Sequence, residues 1–364
     1  MAAGRYAADA ALRPVRPRPH GGGPPTAGFE GTRMTVHSNG EGKVALTRSL
    51  AARLPGVYGL TGRGAHAVVG PVLEAEARDA HVHVTVRELR RVSRGELTTG
   101  STVRLTPQAY VGDPGEALGV AYTDVEIPGE LGPLPAWFVP GDRSTWVITA
   151  HGLGATREHP MVVLPFYRRH SLPVLDLSYR GDPGAPRPLD GIGHLGDAEW
   201  RDLDAAIRYA VRYGAQRVVL HGWSSGASMA LHAAANSALR DRISGLVLDS
   251  PVLDWQATLR ALAGARGTPR ALVPLAVRAV QGRTGLSGGR LAAVADPDRL
   301  NVPTLLLHGP EDTIAPWAPS RALAEARKDL VSLHTVPDAP HAAMWNADPE
   351  GYEEALRRFL VPLM

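Results

Sequence analysis

From about residue 118 to the C-terminus, short apolar runs alternate with helix-length segments, and no other feature restricts the fold as much. The runs fall at 145–149, 173–177, 218–220, 245–248, 304–307 and 331–336, and are rich in Leu, Val and Ile. Continuously apolar strands separated by helices predict a mostly parallel sheet buried on both faces. An earlier pair, 120–127 and 134–140, predicts an opening hairpin. Between two runs, Trp200, Leu203, Ile207 and Val211 recur at helical spacing among Arg and Asp, the pattern of a helix with one buried stripe. In such sheets reactive groups collect beyond the carboxyl ends of the strands, so the residues after each run are where chemistry is to be sought.

The segment 217–229, RVVLHGWSSGASM, runs a strand into a Gly-Trp-Ser-Ser-Gly turn and then into a small-residue helix predicted over 225–239. A serine hydroxyl is a poor nucleophile unless a tight turn thrusts it out beside a base and above amide donors. Gly222 and Gly226 flank Ser224 at the two positions where a Cβ would obstruct the reversal. A second match, Gly285-Leu-Ser287-Gly-Gly289, follows the loop-like Gln281-Gly-Arg-Thr and lacks a preceding strand, so Ser224 is the candidate nucleophile. After the run at 304–307 comes His308-Gly-Pro-Glu-Asp312, and after 331–336 comes Pro337-Asp-Ala-Pro-His341. His341 is the candidate base, because imidazole titrates near neutrality; Asp312 is the candidate carboxylate that fixes its tautomer. Asp249, at the end of the run 245–248, competes for the acid role. Asp254 reads as a helix cap.

The run at 145–149 ends in Ala150-His151-Gly152-Leu153-Gly154. A glycine-rich turn there aims a backbone amide toward the nucleophile, which makes Leu153 one candidate oxyanion donor and Ser225 the other. Gly152 and Gly154 compete for the first place. His151, His221 and His308, each before a glycine at a strand end, read as structural.

On His151-Gly-Leu-Gly154, Gly222-Trp-Ser-Ser-Gly226, Leu307-His-Gly-Pro-Glu-Asp312 and His341, the chain resembles the serine-hydrolase branch of the α/β-hydrolase superfamily from about Leu118 onward. The turn around Ser224 and Ser250-Pro-Val-Leu-Asp-Trp255 look similar to prolyl-oligopeptidase-like and serine-aminopeptidase-like members. The chain has no blade-length repeat that would build a propeller. The resemblance implies an α/β-hydrolase fold and acyl transfer from a small-molecule acyl substrate without cofactor or metal. A carboxylic ester or thioester is the expected substrate, with a peptidase or amidase as the rival. A non-catalytic hydrolase-like binding protein would have no need of the ordered Ser, Asp and His.

The remainder of the sequence sets limits. Its 364 residues hold a full α/β core plus a small module, and 44% hydrophobic with 21% charged residues reads as a soluble globular protein. No apolar run reaches membrane-spanning length. Residues 1–33 carry five arginines against Asp9 and Glu30, while the rest balances 34 basic with 34 acidic residues. The basic character thus lies in the tail and predicts no nucleic-acid-binding face. Cysteine is absent, which removes disulfides and thiolate chemistry. The tail, 1–37, rich in Pro, Gly, Ala and Arg without an apolar core, reads as disordered or as lying upstream of a start at Met34. These features together give the expectation of a cytoplasmic protein. Residues 38–115 read as a small β-rich module, with strands at 56–60, 65–74, 81–89 and 101–106, and residues 116–364 as the catalytic domain. Helical stretches at 255–265 and 270–281 lie in a lid-like segment, 254–300. Two other constellations are weaker. Gly152-Leu-Gly154 has Arg157 where a dinucleotide fingerprint needs glycine, with Asp176 inside a strand rather than at its end. His81 and His83, with His66, lack a carboxylate-rich partner loop for a metal.

Overall fold

The computed structural model describes residues 12, 26–31, 33–74, 83–284 and 293–364. Ser287 with its flanking glycines, His81, residues 285–292 of the lid-like segment and most of the 1–37 tail lie outside the described residues.

The N-terminal module is a closed barrel of six strands: β1 (Met34–Gly40), β2 (Lys43–Thr47), β3 (Tyr58–Gly62), β4 (His66–Val72), β5 (Val84–Arg94) and β6 (Thr102–Thr106). Their order is β1-β2-β5-β4-β3-β6, with every pairing antiparallel, so no edge is left open. The chain enters the barrel at Met34, so the boundary expected at 38 falls inside β1. Residues 26–30 are also packed: Ala27 and Phe29 are buried. The first hairpin was not among the predicted strands. It turns on Glu41 and Gly42, both left-handed at φ of 52° and 73°, as a two-residue hairpin requires. Val36, Val44, Leu46, Tyr58, Leu60 and Leu105 fill the interior. One cation is buried with them. The Arg87 guanidinium donates to the carbonyls of Gly70 (2.9 Å), Ala52 (3.1 Å), Leu54 (2.6 Å) and Gly56 (2.8 Å), tying down the loop before β3. Four acceptors on one planar fork supply what a buried guanidinium needs.

The catalytic-domain segment folds as an α/β sheet. Its strands are β7 (Thr123–Gly129), β8 (Gly132–Val139), β9 (Thr145–Ala150), β10 (Val174–Leu177), β11 (Arg217–Trp223), β12 (Ile243–Asp249), β13 (Thr304–His308) and β14 (Val331–Thr335). They are ordered β14-β13-β12-β11-β9-β10-β8-β7. Strands β9 to β14 run parallel, and the β7–β8 hairpin closes one edge antiparallel. The order reverses at β9, whose sequence successors lie on opposite sides of it. Such a reversal is where loops of an open α/β sheet diverge, and the ends of β9 and β11 stand at it.

Period-two alternation assigns each central side chain to a face. Trp146, Ile148, Val218, Leu220, Leu246 and Leu248 point to one apolar cluster, which α3 (Trp200–Arg212), α4 (Ser225–Asn236) and α7 (Trp317–Ala326) cover. Val147, Val219, Trp223, Val247, Leu305 and Leu307 point to the other, beneath α2 (Leu164–Arg169) and α9 (Pro349–Leu360); α1 (Pro114–Leu118) joins barrel to sheet. Leu203 and Ile207 of α3 are buried as the stripe predicts, with Trp200 and Val211 at its margin. Between β9 and β10 a 3-10 turn, Pro160–Val163, leads into α2 in place of one continuous helix, because Pro160 and Pro165 each lack the amide a continuous helix would use. α5 (Trp255–Ala265) starts where Asp254 caps it, accepting from the Ala257 amide at 2.9 Å. α5 and α6 (Val273–Thr284) pack apart from the sheet, on a third cluster containing Ile192, Leu195, Val252 and Ile314 beside Leu153.

Leu220 sits wholly buried in the central strand β11. Leu220→Ala is expected to lower the unfolding free energy by about 2–5 kcal/mol, read from urea denaturation. A change below about 1 kcal/mol would contradict the assigned packing.

Candidate active site

Ser224 is the hinge between β11 and α4. Its backbone is held at φ 51° and ψ −115°, a conformation that costs a non-glycine residue on the order of 1–3 kcal/mol and needs enforcement from its surroundings. The flanking glycines permit it. A Cβ on Gly222 would run into the Gly226 carbonyl, and one on Gly226 into the carbonyl oxygen of Ala150 at the end of β9. Helix α4 thus lies against β9 at backbone contact distance. A Cβ on Gly152 would stand 2.8 Å from the Ser224 Cβ, so the turn after β9 also closes directly on the serine. The Ser224 amide donates to the Asp249 carbonyl at 2.8 Å, anchoring the turn to β12.

His341 follows β14 and reaches across two strands. Ser224 Oγ donates to its Nε2 at 2.7 Å, and its Nδ1 donates to Asp312 Oδ2 at 2.7 Å. Asp312, in the loop after β13, receives three further donors. His308 Nε2 bonds Oδ2 at 3.0 Å, and the amides of Ile314 and Ala315 bond Oδ1 at 2.8 Å each. Burial acts to raise the Asp312 pKa, but the His341 charge and the bonds from His308 and His341 outweigh it and hold the carboxyl well below the usual carboxylate range. An ionised Asp312 keeps the proton on Nδ1 and leaves Nε2 free to accept. All three side chains are buried.

Thus Ser224, His341 and Asp312 lie together as the chain order suggested. Leu153 and Ser225 both line one cavity of about 30 Å³, with Leu12, Ala155, Tyr179 and Glu199 around it. That is room for a water or so. His341 Nδ1 takes Asp312, not Asp249, as its hydrogen-bond partner. Asp249 Oδ1 accepts from Ser250 Oγ at 2.8 Å, and Ser250 Oγ accepts from the Ala342 amide at 2.9 Å. Asp176, the would-be ribose ligand, is buried inside β10 and accepts from Thr149 Oγ1 at 2.7 Å; burial pushes it up to about 7. His66 faces the Gln108 carbonyl at 3.1 Å inside the protein, and burial pushes it down to about 4. Among the described residues no group of three or more His, Asp or Glu is arranged for a metal. No described helix is long and apolar enough to cross a membrane.

Three side chains around the site have structural parts beyond their strand-end positions. His308 accepts from Ser320 Oγ at 2.7 Å and so presents its Nε2 proton to Asp312. His221 lies between Tyr167 and Tyr352 hydroxyls at 2.6 and 2.8 Å and stacks on Trp223 at 3.8 Å. His151 pairs with Asp182 at 2.7 Å; burial lowers its pKa, but Asp182 overrides this and the net shift is upward. What sequence reasoning missed is Gly28: a Cβ there would stand 2.9 Å from the His341 Cβ, so residues 26–30 pack against His341. Nothing local in a Pro- and Gly-rich stretch signals that contact.

The fold and this site define an α/β-hydrolase. The profile of the prolyl oligopeptidase family matches residues 173–361, just over half of the chain, and the chain belongs to that family. It is a hydrolase. Residues 35–106 match a domain of unknown function. An uncharacterized protein, YfhR of Escherichia coli strain K12, is 24% identical over 235 residues, 63% of this chain and 76% of its own. The fold is similar to the esterase Pf2001 of Pyrococcus furiosus, with a TM-score of 0.56 and 24% identity over 69% of this chain and 94% of that one. It is also similar to Est1E of Butyrivibrio proteoclasticus, solved with ferulic acid, with a TM-score of 0.51 and 20% identity over 65% of this chain and 98% of that one.

Burial pushes Asp249 up to about 7. In the unfolded chain an aspartate ionises near 4, so between about pH 4 and 7 only the native state keeps this proton. Its contribution to stability therefore falls as pH rises through that window. Asp249→Asn is expected to remove this fall, measured by urea unfolding at several pH values. Parallel stability curves for wild type and variant would contradict the assignment.

Proposed function

We propose that the chain hydrolyses a carboxylic ester or thioester of a small acyl substrate through an acyl-enzyme on Ser224, with His341 as base and Asp312 as its orienting carboxylate. The observation that carries this reading is the unbroken line of contacts from Asp312 Oδ2 through the His341 ring to Ser224 Oγ, 2.7 Å at each end. As Oγ attacks the carbonyl carbon, His341 takes its proton, and the carbonyl electron pair moves onto oxygen. The Leu153 and Ser225 amides receive that oxyanion, each such donor being worth about 10²–10³ in turnover. Collapse of the tetrahedral adduct breaks the bond to the leaving group, which departs with the proton from His341. Water then attacks the acyl-enzyme, losing its proton to His341, and the acid leaves as Ser224 regains a proton. Asp312 stays ionised throughout, and the chemistry needs no cofactor.

Esters are favoured over amides because an alkoxide leaves with less protonation than an amine. Pf2001, which shares the fold, is named as an esterase, and Est1E was solved with ferulic acid bound. A peptidase or amidase reading is supported by the match to the prolyl oligopeptidase family. Substrate panels distinguish the two. The expected result is higher kcat/KM on p-nitrophenyl esters than on aminoacyl anilides of comparable size, and the reverse order would shift the assignment to a peptidase. Ser224→Ala is expected to lower kcat on the preferred substrate by several orders of magnitude with little loss of stability. A variant retaining a tenth of wild-type turnover would rule out Ser224 as nucleophile.

A further inference from the structure

We propose that the N-terminal barrel is a positioning module for the catalytic base, gripping the His341 loop through Asn346. This rests on the assignment of His341 as base. The loop is one that must be held. Ala342, the residue after His341, has φ of 54° without being glycine, and such a backbone persists only where its surroundings impose it. On the sheet side the grip is the Ser250 hydroxyl on the Ala342 amide, 2.9 Å. On the other side it is the barrel. The loop continues into a single turn of helix, α8 (Met344–Ala347). There Asn346, fully buried, donates through Nδ2 to the carbonyls of Val57 (2.8 Å) and Pro107 (3.0 Å). The Val57 amide returns a bond to the Asn346 carbonyl at 2.7 Å.

Packing repeats the exchange. Val57 and Val68 of the barrel lie in the same apolar cluster as Met344 and Trp345, while Ala343 lies in the barrel's own core. Gly56 has φ of 81°, and a Cβ on it would collide with the Asn346 carbonyl, so the two backbones meet without side chains between them. The barrel end of this contact is stiff for a stated reason: the Arg87 fork holds the Ala52, Leu54 and Gly56 carbonyls together. A module of this size, joined to the loop that carries the base, fixes where Nε2 sits relative to Ser224 Oγ. Asn346 acts through His341 and touches no reacting atom.

The test is Asn346→Ala in the full chain, with Ser224→Ala alongside, each titrated with a fluorophosphonate. The expected result for Asn346→Ala is one reactive site per folded chain, as in wild type, but a kcat and a labelling rate per titrated site each reduced by about 10–10²-fold. KM is expected to stay within about twofold, since uniform binding is untouched. A merely structural role would instead lower the number of titratable sites and leave the rate per site unchanged, and that result would overturn the proposal. If Ser224→Ala still labels, the underlying assignment fails; if it does not label while Asn346→Ala keeps the wild-type rate, only the positioning role fails. Should Asn346→Ala not fold, hydrogen exchange of the wild-type protein carries the test. The Val57 amide and the amides of residues 343 and 347 are expected to open together, and exchange at Val57 more than about tenfold faster than at those two would overturn the proposal.

Discussion

The arrangement depends on how closely helix α4 approaches strand β9. Gly226 lies against the Ala150 carbonyl with no space for a side chain, and Gly222 lies equally close to Gly226. This contact forces the chain to leave β11 through a strained Ser224 and directs its hydroxyl upward at the point where the sheet order reverses. The same close packing brings the turn after β9 onto the serine, since Gly152 also lacks room for a Cβ. Ser224 and the candidate oxyanion amides are therefore positioned by one backbone constraint. His341 and Asp312 come from the opposite half of the sheet, on the loops that follow β14 and β13.

A local constraint of this kind is readable in a sequence, which explains what could be foreseen. The strand, the paired glycines and the helix around Ser224 lie within the twenty residues 217–236, and each has its own physical signature. Asp312 and His341 were legible because each stands just past an apolar run, where an α/β sheet gathers its chemistry. Side chains that work by contact across the fold were not. His308 lies four residues before Asp312 at a strand end, but only the coordinates turn its ring toward the carboxylate. Strands β1 and β2 went unassigned because apolar positions there are few: Val36 stands between Thr35 and His37, and Val44 and Leu46 flank one alanine. The Asn39-Gly40 pair beside the turn was the signal available for that hairpin. The contact of Gly28 with His341 joins the two ends of the chain and has no local trace.

Charge and burial are arranged differently around the two aspartates nearest the site. Asp312 collects two imidazoles and two backbone amides, so its negative charge is stabilised despite burial. Asp249 is buried with a serine hydroxyl as its hydrogen-bond partner and holds its proton to about pH 7. Asp249 ends β12 and Asp312 stands four residues past the end of β13 in the same sheet, yet only Asp312 is surrounded by the donors that hold an anion. That difference in donors, rather than position in the chain, distinguishes Asp312, the proposed acid, from its competitor. It also explains why Asp249 is suited to holding the Ser250–Ala342 contact, a neutral hydrogen-bonded bracket next to a charged one.

The barrel adds a second bracket to the same loop, and the account as a whole turns on His341 linking the Ser224 hydroxyl to Asp312. The most direct measurement is mass-spectrometric mapping of the adduct formed by a fluorophosphonate on wild type and on His341→Ala. The expected result is an adduct on Ser224 in the wild type and a labelling rate lower by orders of magnitude in His341→Ala. An adduct at Ser287, or labelling of the variant at the wild-type rate, would contradict it.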